Sequence, residues 1–229
     1  MSNTAIILGA GSGSRMKSQT NKMLLEIMGK TVLERSVVAF LVVKEVDEII
    51  VTAREQELEA YIALFENEDK VSFVIGGDTR QQSVRNAVET VDEAELIIIH
   101  DGARPLIRQQ EIEATIAAAK KYKAAAVGVP VKDTIKVLDS KGFVRMSPDR
   151  SRLFAVQTPQ VFNFEIYQEA MRRVEKSGAD YTDDCQLIEA AGGKVKMVTG
   201  DYSNIKITTP EDIALAESIL LQRLKRSTV

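Results

Sequence analysis

The sequence is poor in the residues that build disulfide frameworks and metal centres. Its 229 residues include one cysteine, Cys185, and one histidine, His100. A lone cysteine cannot form an internal disulfide, and these two residues cannot supply a cluster with zinc-ligand spacing. The composition therefore predicts a protein of a reducing compartment in which Cys185 is structural. We expect His100 to satisfy a buried hydrogen bond rather than to take part in chemistry.

Long apolar runs and an excess of basic charge are also missing. No segment approaches the roughly 18 consecutive apolar residues of a membrane span, and no basic segment precedes the first apolar run as in a secretory signal. With 30 Lys and Arg against 33 Asp and Glu, the net charge of −3 argues against a general nucleic-acid-binding surface. We therefore expect a cytoplasmic protein with no nucleic-acid or membrane partner, and a single domain of residues 1–229.

The chain opens with a short apolar run, residues 5–8, that leads into a glycine-rich segment. Glycines stand at positions 9, 11 and 13, and Arg15 and Lys22 follow. Such a segment lets phosphates approach backbone amides, and the two cations suit a site that stabilises phosphate charge. The dinucleotide fingerprint fails because Ser14 and Met16 stand where it needs glycine, and the P-loop pattern is missing. We interpret the segment as a polyphosphate loop; the alternative is a tight turn with two solvated cations.

Strand and helix patterns alternate along most of the chain. Apolar runs predict strands near residues 48–52, 71–75, 96–100 and 124–129, and helical spacing predicts helices over 31–44, 56–65, 80–91 and 110–122. Helices over 165–176 and 210–225, strands at 194–198 and 204–208, and a short helix that ends at residues 192–193 complete the pattern. The fold class is therefore α/β and Rossmann-like, with a mainly parallel twisted sheet covered by helices on both faces.

Polar residues follow two of these strands, at the sheet edge where ligands bind in such folds. After residue 75 comes GGDTRQQSV, whose glycine pair allows close backbone approach and whose Asp78 or Thr79 caps the next helix. After residue 99 comes HDGARP, which places Asp101 and Arg104 at a strand end. We interpret Asp101 and Arg104 as site residues; the alternative is a local ion pair.

Residues 131–156 break the alternation. Strand-like residues, a turn signal at 140–142 and a return run from 143 predict a two-stranded arm. Because an isolated hairpin is marginal in water, the arm needs something to pack against. A second copy of the chain is one candidate, which makes the arm a dimerisation element, and a lid over the chain's own site is the other.

The motifs together resemble one family, the 2-C-methyl-D-erythritol 4-phosphate cytidylyltransferases of the non-mevalonate isoprenoid pathway. The resemblance spans the chain and rests on G-x-G-x-R-M with its lysine, GGDTRQQSV, HDGARP, VKDTIK, AVQTPQ, the pair Thr182-Asp183 and NIKITTPEDIALAE, in this order. One departure is visible, because many members carry proline where this chain has Asn21. We expect it to alter loop stiffness more than chemistry.

The resemblance implies transfer of the cytidylyl group of CTP to methylerythritol phosphate, with release of pyrophosphate. By resemblance, the catalytic cations are Arg15, Lys22, Arg150 and Lys206. The same resemblance assigns nucleotide binding to Gly9, Ala10, Gly11, Gly13, Gly77, Asp78 and Ser83. It assigns binding of the acceptor to Asp101, Arg104, Thr134, Arg150, Thr182 and Lys206.

The resemblance also implies a cofactor and a partner. Mg²⁺, bound mainly through the CTP phosphates, is expected to bridge them, and no protein ligand is assigned to it. The arm of residues 131–156 is expected to cross to a second subunit and to complete its site, so that the enzyme is a homodimer.

Three other functions remain open from the sequence. A ribitol 5-phosphate cytidylyltransferase shares the loop and the chemistry, and a uridylyl or guanylyl transferase shares the fold. A non-catalytic, nucleotide-binding regulatory module belongs to another class, but it would not need the cations that align an acceptor phosphate. Fold alone does not decide among them.

Overall fold

A seven-stranded sheet forms the centre of the molecule, in a computed structural model that describes residues 2–11, 21–175 and 181–227. The described strands are β1 Asn3–Leu8, β2 Glu26–Ile27, β3 Lys30–Thr31, β4 Glu48–Ala53, β5 Val71–Ile75, β6 Leu96–Asp101, β7 Ala124–Pro130, β8 Val137–Leu138, β9 Val144–Met146, β10 Phe154–Asn163 and β11 Lys196–Thr199. The described helices are α1 Val32–Leu41, α2 Leu58–Leu64, α3 Arg80–Val88, α4 Gln109–Tyr122, α5 Phe164–Glu175, α6 Asp184–Ala190 and α7 Glu211–Ser227.

The strand order in the sheet is β11-β7-β10-β6-β1-β4-β5, and every neighbouring pair is parallel except those made by β10. Strand β10 lies antiparallel between β6 and β7. The predicted α/β class and mainly parallel sheet are confirmed. The place of β10 was not predicted, because the sequence pattern assigns residues 131–156 to the arm and indicates no sheet strand after it.

Helices cover both faces of the sheet, which explains the continuously apolar central strands. Ile7 of β1 packs into the core under α1, α4 and α7, while its neighbour Ile6 packs into the core under α3, α5 and α6. Ile98 and Ile97 of β6 divide in the same way. Since successive side chains point to opposite faces, a strand buried on both sides needs apolar residues at every position.

The strand predicted at residues 204–208 is wrong. The backbone there makes single hydrogen bonds to scattered partners instead of a ladder. Ile207 N donates to Ala103 O at 2.7 Å, and Thr208 N donates to the Asp212 carboxylate at 2.7 Å. The segment is therefore a fixed loop that crosses the edge of the sheet in front of α7.

The arm leaves the sheet as a short hairpin of β8 and β9. Strand β10 resumes pairing at Phe154, opposite Pro130, so the arm ends by residue 153, three residues before its predicted limit at residue 156. Phe143 at the tip of the hairpin is 71% exposed, and Val144 and Met146 are more than half exposed. Among the described residues, no helix is long and apolar enough to cross a membrane.

Candidate active site

A cleft of about 760 Å³ lies at the carboxyl ends of β1, β4, β5 and β6. Parallel strands in such sheets expose their carboxyl ends at one edge, where the following loops meet. Nine of the predicted site residues line this cleft: Ala10, Gly11, Lys22, Gly77, Asp78, Ser83, Asp101, Thr182 and Lys206. Residues from six separate parts of the sequence are thus brought to one surface.

The first corner of the cleft is the start of the glycine-rich segment. Gly9 N donates to Thr52 O at 3.0 Å, which continues the pairing of β1 with β4 for one residue. Gly9 therefore lies behind the cleft, and Ala10 and Gly11 form its wall. The predicted residues Gly13 and Arg15 lie outside the described residues.

Lys22 begins the short 3₁₀ helix Lys22–Leu24, which Asn21 caps by accepting a hydrogen bond from Met23 N. The lysine is nearly buried, and its Nζ donates to Ile207 O at 3.1 Å. Ile207 follows Lys206, so this bond connects the amino group of one predicted catalytic cation, Lys22, with the residue next to another, Lys206. Lys22 and Lys206 are both lining residues of the cleft.

A glycine pair after β5 forms the opposite corner. A side chain at Gly76 would place its Cβ 2.4 Å from Ala10 Cβ and 2.8 Å from Ser83 Oγ, so this contact requires glycine. Gly77 N donates to Ser83 Oγ at 3.0 Å, and Thr79 caps α3 through Gln82 N. Backbone groups of residues 76–78 are thereby held at the cleft wall next to Ala10.

Asp101 forms the floor of the cleft among three cations. Its carboxylate lies 2.7 Å from Lys206 Nζ, 3.4 Å from Arg80 Nε and 3.7 Å from Arg104 Nε. Burial alone would raise the pKa of Asp101, but the three positive charges hold it well below the usual range. The carboxylate therefore stays ionised at neutral pH as a hydrogen-bond acceptor, and the surrounding cations outnumber it.

The family model for 2-C-methyl-D-erythritol 4-phosphate cytidylyltransferase matches residues 3–222 of the chain. The chain belongs to this cytidylyltransferase family. It is therefore a nucleotidyltransferase, and the activity predicted from its motifs, transfer of a cytidylyl group from CTP to methylerythritol phosphate in isoprenoid biosynthesis, is confirmed at the level of the family.

Relatives in sequence and in structure agree with this membership. The 2-C-methyl-D-erythritol 4-phosphate cytidylyltransferase of Caldanaerobacter subterraneus subsp. tengcongensis is 47% identical, covering 96% of this chain and 99% of its own. That of Clostridium acetobutylicum is 42% identical over 95% of this chain and 97% of its own. The crystal structure of 4-diphosphocytidyl-2C-methyl-D-erythritol synthase from Anaerococcus prevotii has a TM-score of 0.88 at 36% identity and covers 96% of each chain.

Four of the described residues predicted for the cytidylyltransferase site are absent from the cleft lining, and two of them, Gly9 and Arg104, lie directly behind it. Thr134 and Arg150 lie on the exposed arm and are not part of the cleft lining. Arg150 Nη1 donates to Lys132 O at 2.9 Å, and Lys132 Nζ sits 3.6 Å above the ring of Tyr202, whose hydroxyl donates to Pro130 O. These contacts fix the base of the arm, and they hold the Arg150 guanidinium outside the cleft lining of its own chain.

One cation of the cytidylyltransferase site was missed by the sequence reasoning. Arg80 lines the cleft and spans two carboxylates, with Nη1 2.7 Å from Asp184 Oδ2 and Nε 3.4 Å from Asp101 Oδ1. A signal was available, because Arg80 is the first residue of α3. A cation is unfavourable at a helix N-terminus, so an arginine there suggests carboxylate partners elsewhere in the fold.

His100 and Cys185 have the structural places expected of them. His100 is fully buried, with Nδ1 3.0 Å from Thr158 Oγ1 and Nε2 3.2 Å from Arg104 O. Cys185 is buried in the core under α6, where burial raises the pKa of its thiol. Neither side chain lines the cleft.

Proposed function

We propose that cytidylyl transfer takes place in this cleft, with the phosphate of methylerythritol phosphate attacking the α-phosphorus of CTP. The observation that carries the proposal is the cluster of cations around the buried Asp101 carboxylate, which Lys206, Arg80 and Arg104 surround. Lys22 and Arg54 also line the cleft, and its other acidic lining residues are Glu55 and Asp78. Polyphosphate chemistry requires positive charge where negative charge gathers, and it requires alignment of the two reacting groups.

The nucleotide is assigned to the two glycine corners. In this proposal Gly9, Ala10, Gly11 and Gly13 surround the triphosphate, and Arg15 and Lys22 stabilise the pentavalent phosphorus and the departing pyrophosphate. Gly77, Asp78 and Ser83 hold the base and ribose. A glycine pair lets a base approach the backbone closely, and cytosine offers the N4 amine as donor and O2 and N3 as acceptors to the groups that it meets there.

The acceptor is assigned to the side of the cleft around Asp101. An ionised Asp101 accepts hydrogen bonds from the hydroxyls of the sugar alcohol, while Arg104 and Thr182 border that position. Lys206 and Arg150 direct its phosphate toward CTP. The acceptor phosphate is already ionised at neutral pH, so this reaction needs no general base, in agreement with the buried places of His100 and Cys185.

Mg²⁺ is proposed to join the site together with CTP. Among the described residues, no group of three or more His, Cys, Asp or Glu side chains is arranged to hold a metal ion. Asp101 lies at the cleft floor, and Glu55 and Asp78 line the cleft separately from it. Such separate carboxylates fit a cation held mainly by nucleotide phosphates with at most one or two carboxylates. When bound, Mg²⁺ neutralises charge on the phosphates.

The arm is proposed to complete the site of a second subunit in a cytoplasmic homodimer. Its apolar residues Leu138, Phe143, Val144 and Met146 are exposed on the single chain, an arrangement that favours burial against a partner. Thr134 and Arg150 would then reach the partner's cleft. CTP and phosphorylated metabolites are available in the cytoplasm, which supports that location.

Mixed dimers test the shared site. Arg150→Ala chains and Lys22→Ala chains are each expected to be nearly inactive. If Arg150 acts across the interface, a mixed dimer contains one site with both residues intact, and mixing should restore part of the activity. Absence of recovery in dimers whose mixed composition is verified by mass spectrometry would contradict the proposal.

The reaction itself is tested by pyrophosphate release from CTP and Mg²⁺, with methylerythritol phosphate and ribitol 5-phosphate supplied in parallel. Lys22→Ala protein purified in the same way controls for contaminating enzymes. We expect release with methylerythritol phosphate. Release with ribitol 5-phosphate alone would overturn the acceptor, and no release with either would overturn catalysis at this site.

A further inference from the structure

The side chain of Tyr61 connects the two described ends of the glycine-rich segment. Tyr61 belongs to α2 and is fully buried, yet its hydroxyl lies behind the cleft wall. The hydroxyl donates to Gly9 O at 3.2 Å and accepts a hydrogen bond from Asn21 Nδ2 at 2.9 Å. One side chain thus holds the residue at which the segment leaves β1 and the residue that precedes Lys22.

Asn21 connects the Tyr61 hydroxyl to the backbone that carries Lys22. Its Nδ2 reaches Tyr61, while its Oδ1 accepts from Met23 N at 3.0 Å and so caps the helical turn that Lys22 begins. Both ends of the Asn21 amide are therefore used. The Lys22 backbone is fixed on the side of α2, and its Nζ is fixed on the opposite side by Ile207 O.

Close packing shows that the contact at Gly9 is specific. A Cβ at Gly9 would lie 3.0 Å from the Tyr61 ring and 2.6 Å from Thr52 O, so the ring packs directly on glycine backbone. Gly9 N also donates to Thr52 Oγ1 at 3.2 Å, in addition to Thr52 O. Both polar backbone groups of Gly9 therefore bind residues of the segment from β4 to α2, which leaves little freedom of movement.

We propose that Tyr61 and Asn21 are positioning residues that hold Lys22 in the place from which it stabilises the transition state. The inference rests on the role proposed above for Lys22. Neither residue touches the substrates in this proposal, since the Tyr61 hydroxyl is buried beneath the wall that Ala10 and Gly11 form. A displacement of about 1 Å in a catalytic group can lower a rate by about a hundredfold, so loss of these two bonds is expected to affect turnover.

The test is Tyr61→Phe, which keeps the ring packed on Gly9 and removes both hydrogen bonds. We expect kcat to fall by about tenfold while KM for CTP changes by less than about twofold, because the restraint serves the transition state more than binding. Asn21→Ala should lower kcat in the same direction. Because Asn21 is partly exposed, this variant also decides the question if Tyr61→Phe does not fold.

A matched control separates positioning from general stability. Thr115→Val removes an equally buried hydroxyl that donates to Glu111 O at 2.6 Å on α4, outside the cleft lining. It should lower the melting temperature without changing kcat. If Tyr61→Phe lowers the melting temperature as Thr115→Val does and leaves kcat within about twofold of the parent, the proposal is overturned.

A double variant connects the effect to Lys22. In a Lys22→Ala background, Tyr61→Phe should change the residual kcat by less than about twofold, because the group that it positions is gone. Losses that multiply in the double variant would overturn the inference. If Lys22→Ala alone retains full turnover, the function proposed for Lys22 fails; if Lys22→Ala is impaired and Tyr61→Phe is not, only the positioning role fails.

Discussion

Replacement of Arg80 by methionine should destabilise the enzyme through a carboxylate outside the cleft. The substitution keeps most of the apolar stem and removes the guanidinium that pairs with Asp184 and Asp101. Asp101 keeps Lys206 and Arg104 as partners. Asp184 is different, because its side chain is 5% exposed and Arg80 is its charged partner at 2.7 Å.

The expected loss in the free energy of unfolding arises because the buried Asp184 carboxylate would be left without a cationic partner. Asp184 Oδ1 still accepts from the Tyr167 hydroxyl at 2.6 Å, but a neutral donor does not balance a buried carboxylate. Removing one partner of a buried ion pair typically costs about 3–5 kcal/mol. Arg80 is 27% exposed, so we expect the lower end, about 3 kcal/mol. For a chain of this length, that corresponds to a fall of roughly 6–12 °C in melting temperature.

Equilibrium unfolding in guanidinium chloride and calorimetry would measure this loss. Arg172→Met is the matched control, because Arg172 pairs with Glu169 at 3.0 Å on an exposed helix surface and should change stability by less than about 0.5 kcal/mol. The double variant Arg80→Met with Asp184→Asn should regain at least half of the stability, since it removes the unbalanced charge. A loss below about 1 kcal/mol for Arg80→Met, or a double variant as unstable as the single one, would refute the reasoning.

Three further predictions concern Lys22, the glycine at the nucleotide corner and the buried His100. Lys22→Ala should lower kcat by at least about a hundredfold, or roughly 3 kcal/mol in the barrier, and weaken CTP binding far less; steady-state kinetics with CTP titration checks this, and unchanged turnover would contradict it. Gly76→Ala should raise KM for CTP by about tenfold, because its methyl would collide with Ala10 at the nucleotide corner, and a KM within about twofold of the parent would count against that assignment. Burial lowers the pKa of His100 from 6.5 to about 4, so the unfolded chain binds the proton first as the pH falls. The free energy of unfolding should therefore drop by about 2 kcal/mol more between pH 7 and pH 4.5 in the parent than in His100→Asn, and equal drops would exclude this cause.

The part of the site that could be predicted is the part that sheet geometry brings together. Asp101 and Gly77 end parallel strands, so the pattern of apolar runs alone places them at one edge. The motifs named the neighbouring cations Lys22 and Lys206, and the structure puts both in the same cleft. The placement of Asp101 needed no side-chain detail, because the carboxyl ends of parallel strands lie along one edge of the sheet whatever their order. Lys22 and Lys206 were named by the resemblance and not by the strand pattern.

The contacts that were not predicted join residues far apart in sequence through buried polar atoms. Arg80 meets Asp101 and Asp184, 21 and 104 positions away. Tyr61 looks like an ordinary core position of an amphipathic helix, and its hydroxyl has a partner only after α2 packs behind Gly9. Hydrophobic periodicity predicts which face of a helix or strand is buried, but it does not predict which polar group will be the partner of a side chain on that face.

The error at residues 204–208 has a related cause. Alternating β-branched residues predicted a strand, since such residues suit a pleated surface. In the structure the backbone groups of Ile207 are taken by Ala103 and by the Lys22 amine, which leaves none for a ladder. The partners that decide between strand and loop lie elsewhere in the chain, where the local pattern of residues cannot report them.

The contacts with Ala103 and Lys22 hold the loop of residues 204–208 in one position, which the proposed chemistry requires. Lys206 faces Asp101, and the next carbonyl receives Lys22, so one short segment sets the spacing of two cations. On the other side, Tyr61 and Asn21 set the backbone of Lys22. Lys22 and Lys206 are therefore held in place by the protein itself, so that binding of a phosphate need not gather these two cations against their mutual repulsion. Charge that is preorganised in this way lowers a reaction barrier.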